Sequence, residues 1–73
     1  MIDEENHMKD LLKLRKKLNF TQQEMAEYLD VSISFYAKVE NNTRMPSYNF
    51  IMKIKNKFPE FDTNIFFANN YHE

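Results

Sequence analysis

The 73 residues include no cysteine, and 42% of them are hydrophobic and 29% charged. A chain of this kind can enclose one small core, which excludes a disulfide framework and leaves little room for an elaborate active site. No apolar run approaches the roughly 20 residues of a membrane span, and no apolar signal stretch opens the chain. The composition therefore predicts a cytoplasmic protein that relies on well-packed helices or on a partner chain.

The formal net charge of −1 conceals an uneven distribution. Asp3, Glu4 and Glu5 lie at one end and Glu60, Asp62 and Glu73 at the other, while residues 9–57 hold all ten Lys and Arg against five acids, a balance of +5. A basic body with acidic ends can attract phosphate. On charge alone, a mixed solvated surface is an equally good reading.

Residues 1–7 carry no periodic apolar pattern and read as a flexible lead-in, with Met8 offering a second start. From Met8 the stretch MKDLLKLRKKL spaces Leu11, Leu14 and Leu18 by three and four, the stripe of an amphipathic helix. In TQQEMAEYL, Thr21 and Glu24 form a Thr-x-x-Glu capping box that opens a second helix, with Met25, Ala26 and Leu29 as its apolar face. Ser32 is a good N-cap for a third helix reaching about Glu40. Residues 41–46 form a loop. Ser47 caps a fourth helix, in which Phe50, Ile51, Ile54 and Phe58 keep helical spacing until Pro59 stops it. A short fifth helix is expected near Thr63 to Ala68, with Ile65 and Phe66 inward, followed by a tail at 69–73. The whole reads as one all-α domain of five helices over residues 8–68.

The chain has no glycine, although five helices need several tight exits. Asn19, Asp30 and Asn42 stand at three of the four proposed exits, and Asn and Asp are the non-glycine residues that best tolerate positive φ.

Helices two and three are short, apolar at fixed offsets and joined by a turn of about three residues, the outline of a helix-turn-helix. Met25, Ala26, Leu29, Val31, Tyr36 and Val39 are apolar where such a unit needs them, and Ala26 is small where the helices approach. TQQEMAEYLDVSISFYAKVENNTRMPS closely resembles the Cro and phage-repressor-like (XRE-type) helix-turn-helix family, and the likeness extends from about Leu11 to Phe67. Asn19, Asp30 and Asn42 replace the family's usual glycines. Tyr36 takes a core position more often held by Ile or Val, so its hydroxyl needs a partner. Ile33 stands where polar residues are frequent.

This resemblance implies a lambda-repressor-like fold and a third helix that enters the DNA major groove. Carried over by position, Ile33, Ser34 and Lys38 are the base-reading residues, with Ser32 and Ala37 close by. Gln22 and Gln23 at the start of helix two, together with Asn41, Thr43 and Arg44 after helix three, are the backbone-contacting or supporting set. Arg15 and Glu40 match a family ion pair between helices one and three, and Arg15 also lies within reach of a phosphate. The implied function is a sequence-specific double-stranded DNA-binding regulator, a repressor acting as a homodimer on an inverted repeat. The alternative is a protein-interaction module, an antitoxin or anti-repressor, on the same fold.

Among the aromatics, Phe20, Tyr36, Phe50, Phe58 and Phe66 occupy inward positions. Phe35 is expected against the loop and the start of helix four near Tyr48. Phe61, Ile65 and Phe67 form an expected apolar patch for a dimer contact. His7 and His72 lie near the two ends, and no triad or metal-ligand spacing occurs. No enzyme activity, cofactor, metal, small-molecule ligand or membrane partner is expected.

Overall fold

The computed structural model describes residues 8–68; the expected lead-in and tail lie outside the described residues. Five helices follow in order: α1 (Lys9–Lys17), α2 (Gln22–Leu29), α3 (Ile33–Glu40), α4 (Tyr48–Lys57) and α5 (Asn64–Ala68). The described residues form no strand. None of the described helices is long and apolar enough to cross a membrane.

Local chemistry sets the starts of α2, α3 and α4 and the ends of α1 to α4. Thr21 Oγ1 accepts the Glu24 backbone N–H at 3.0 Å, while Glu24 Oε1 accepts that of Thr21 at 2.8 Å, which completes the capping box at the start of α2. Ser32 and Ser47 cap α3 and α4 by accepting from the N–H groups of Phe35 and Phe50. Pro59 bars continuation of α4, and Phe58 before it has left helical geometry at φ −134° and ψ 74°.

Asn19, Asp30 and Asn42 are the described residues with positive φ, at 61°, 61° and 64°. Each closes its helix in the same way. The left-handed residue and its successor donate backbone N–H groups to carbonyls of the last turn: Asn19 to Lys16 and Phe20 to Arg15, Asp30 to Glu27 and Val31 to Ala26, Asn42 to Val39 and Thr43 to Lys38. This is the double bond of a Schellman exit, made here without glycine. Lys53 Nζ on α4 adds a 2.8 Å donation to the Asp30 carbonyl, which ties the α2–α3 turn to α4.

The core gathers Met8, Leu11, Met25, Ala26, Leu29, Tyr36, Val39, Phe50, Ile51, Ile54 and Phe66. Phe50 is its hub: it meets Phe35 edge-on at 5.6 Å, Phe66 at 6.1 Å and Tyr36 at 6.3 Å between ring centroids. Met8 belongs inside this core although it precedes the first helical residue. Leu14 and Leu18, by contrast, are only partly buried. α2 packs on α3 and α4, and α1 packs on α3, so α3 is held from behind by two helices.

One aromatic placement matches expectation and one differs. Phe35 lies against the loop and the start of α4, with Arg44 over its ring and Phe50 edge-on at 5.6 Å, while Tyr48 is 75% exposed. Phe61 and Ile65 pack on the core, which leaves Phe67 as the exposed member of the expected C-terminal patch. Phe66 on α5 meets Phe61 at 6.1 Å, and Phe61 and Ile65 follow it onto the bundle.

Candidate nucleic-acid interface

Helical spacing divides α3 into two faces. Tyr36, Val39 and Glu40 are buried, whereas Ile33, Ser34, Lys38 and Asn41 are exposed, with Phe35 and Ala37 half-buried between them. The intervals from Ser34 to Lys38, and from Ala37 to Asn41, are four residues, so these side chains share one surface of the helix. That surface is polar, small and open.

The inner face is anchored by an ionised group. Glu40 is 4% exposed, and burying a carboxylate is costly unless it is paired and hydrogen-bonded. Four donations meet that need. Oε2 accepts from Arg15 Nε at 2.8 Å and from the Tyr36 hydroxyl at 2.6 Å; Oε1 accepts from Arg15 Nη2 at 3.1 Å and from Gln22 Nε2 at 2.8 Å. The carboxylate thereby joins α1, α2 and α3 at one point.

The titration of these groups follows. Burial pushes the Glu40 carboxyl upward, but the bonds from Arg15, Tyr36 and Gln22 outweigh it and hold the group below its ordinary value. The hydrogen bond to Glu40 raises Arg15, and burial is the first cause that raises Tyr36, reinforced by its donation to Glu40. Arg15 also gives Nη1 to the Phe20 carbonyl at 2.8 Å, so each of its three guanidinium nitrogens is engaged. Three of its five N–H groups are thus bound within the fold, where the side chain is 12% exposed.

The remaining residues group around the open face. Ser32 stands at its head, occupied by capping. Gln22 lends one N–H to Glu40, and Gln23 donates to Glu27 on the next turn of α2 at 3.0 Å. Asn41 and Asn42 carry α3 into its exit, where the Thr43 hydroxyl donates to the Lys38 carbonyl at 3.2 Å. Arg44 lies over the Phe35 ring, its guanidinium carbon 5.0 Å from the centroid. Ile33, Ser34 and Lys38 thus share the open surface, with Arg44 along one flank.

Two parts of this arrangement were missed in the sequence. Tyr36 and Glu40 are four residues apart on one helix, so their bond was available from spacing. Gln22 reaches Glu40 across 18 positions, and no local signal reports that. Among the described residues no group of three or more His, Asp or Glu side chains is placed to hold a metal ion.

Two short helices joined by Asp30, Val31 and Ser32, the second presenting a polar face, define a helix-turn-helix module. A family model described as a helix-turn-helix domain matches residues 9–71, and the chain belongs to that family. Over 63 residues, 86% of this chain and 82% of the other, it is 38% identical to YqaF of Bacillus subtilis (strain 168), an uncharacterized HTH-type transcriptional regulator. No solved structure matches the chain at a significant level.

Proposed function

We propose that this chain is a sequence-specific, double-stranded DNA-binding transcriptional regulator of the Cro and phage-repressor-like (XRE-type) kind. It acts as a repressor: α3 enters the major groove, and a homodimer occupies an inverted repeat and occludes polymerase. The single observation that carries this reading is the division of α3 into an inner face locked by Glu40 and an outer face of Ser34, Lys38 and Asn41 open to a groove. Family membership and the relative's description as a regulator support it.

Each outer residue has a chemical role. Lys38 donates to guanine N7 or O6, Ser34 donates or accepts at a base edge, and Ile33 packs on a thymine methyl. Gln22, Gln23, Asn41, Thr43 and Arg44 serve the phosphates, which set position without reading sequence. The homodimer follows from the small footprint of one module, since two half-sites about 34 Å apart multiply specificity. Exposed apolar side chains at Met45, Tyr48, Met52 and Phe67 offer surface for a second copy.

Selection from a randomised duplex pool, followed by binding at several salt concentrations, tests the proposal. An enriched palindromic sequence, with affinity falling steeply as salt rises, is expected. No enriched sequence and no salt-sensitive binding would overturn it and favour the protein-interaction module.

A further inference from the structure

We infer that Phe35 is a positioning residue that holds Arg44 as a preformed phosphate clamp beside the open face of α3. The inference rests on the DNA-binding reading above and assigns to Phe35 a task beyond packing. Its basis is the way the two side chains meet. A guanidinium held over a ring by cation–π attraction spends no hydrogen bond on that contact and keeps its N–H groups for the paired bonds a phosphate accepts.

Arg44 is placed for this. Its guanidinium carbon sits 5.0 Å from the Phe35 centroid, and among the described residues no carboxylate or carbonyl engages its N–H groups. Arg15 is the contrast, with all three guanidinium nitrogens committed to Glu40 and Phe20.

The platform under Arg44 is rigid on both sides. Phe35 is half-buried and meets the fully buried Phe50 edge-on at 5.6 Å and 66°. Thr43, the preceding residue, is bound twice to the Lys38 carbonyl, by its N–H at 2.9 Å and its hydroxyl at 3.2 Å. Phe35 and Lys38 are three residues apart and adjacent on the helix surface, so the clamp borders the residue proposed to read guanine. A side chain ordered before binding loses less freedom when a phosphate arrives. The clamp should therefore raise affinity for every duplex while leaving base preference unchanged.

The test begins with the free protein. Proton NMR should show the Arg44 side-chain signals shifted upfield by the Phe35 ring, and the shift should vanish in Phe35→Leu, which keeps apolar bulk without a ring face. Unshifted Arg44 signals in the wild type would overturn the inference. Binding is then measured to the duplex selected by the wild type and to an unrelated duplex. Phe35→Leu should weaken both by about 2- to 5-fold, the scale of an exposed cation–π contact, and Phe35→Trp should restore both. In an Arg44→Ala background Phe35→Leu should have no further effect, because the two residues act as one unit. Equal losses in both backgrounds would mean that Phe35 acts only through packing and would overturn the inference. Arg44→Lys, which keeps the charge but not the planar face, covers the case in which Phe35→Leu does not fold. It should weaken both duplexes, and wild-type affinity there would overturn the inference. Absence of wild-type binding to any duplex at low salt would instead overturn the DNA reading itself.

Discussion

The inner and outer faces of α3 treat polar groups in opposite ways. On the inner face Glu40 receives four donors, and Arg15 has every guanidinium nitrogen occupied. On the outer face Ser34, Lys38 and Asn41 are exposed, and Arg44 is steadied by a ring rather than by an acid. The two arginines make the difference concrete. One is built into the fold as a joint between helices, while the other makes no hydrogen bond or ion pair among the described residues. The saturation of the inner face aims the outer face: a helix pinned at its C-terminal end by Glu40 and packed against α1 and α2 has little freedom to roll.

The inner face depends most on Glu40. Glu40→Ala leaves Arg15 without its partner inside the fold, and Arg15→Ala leaves the carboxylate with Tyr36 and Gln22 alone. Each should cost roughly 3 to 5 kcal/mol, the scale for removing one partner of a buried pair. Urea unfolding should register the loss, and a cost near zero would mean that the pair is only a surface contact.

Acid sharpens the same point. The folded Glu40 carboxyl lies below its ordinary value, so its contribution is fully present above the unfolded carboxylate value and is lost as pH falls through the folded one. Wild-type stability should therefore decline on acidification, and Glu40→Gln should flatten that decline in urea titrations at stepped pH.

On the outer face the expected effect moves from stability to recognition. Lys38→Ala or Ser34→Ala should change preference at one or two base pairs by roughly 1 to 3 kcal/mol while leaving the melting temperature in place. The smallest effect belongs to the exits. Asn42→Ala forces a Cβ residue without a local amide into φ 64° and should cost about 1 kcal/mol, whereas Asn42→Gly should be close to neutral. Thermal unfolding distinguishes the two.

Much of the fold was legible because its signals are local. The Thr21–Glu24 box, the serine caps at Ser32 and Ser47, the stop at Pro59 and the Asn and Asp exits each lie within a few residues of what they control. Residues whose fate depends on distant partners were harder. Met8, the first residue of the expected domain, lies outside the apolar stripe read for α1 but is buried in the core. Gln22 lends an N–H to Glu40 across 18 positions, a bond that no local pattern reports. Phe35 was expected against the loop and the start of α4 and lies there, but its ring partner is Phe50, which spacing alone could not name. Spacing can assign a side chain to a face of its own helix, but not to the residue it meets from another.

The central claim is that the outer face of α3 reads base edges from a helix that Glu40 holds in place. Parallel selection of duplexes by the wild type and by Lys38→Ala tests it most directly. An enriched inverted repeat is expected for the wild type, with preference relaxed at one or two symmetry-related base pairs in the variant. The same enriched sequence with undiminished preference in both proteins would contradict it.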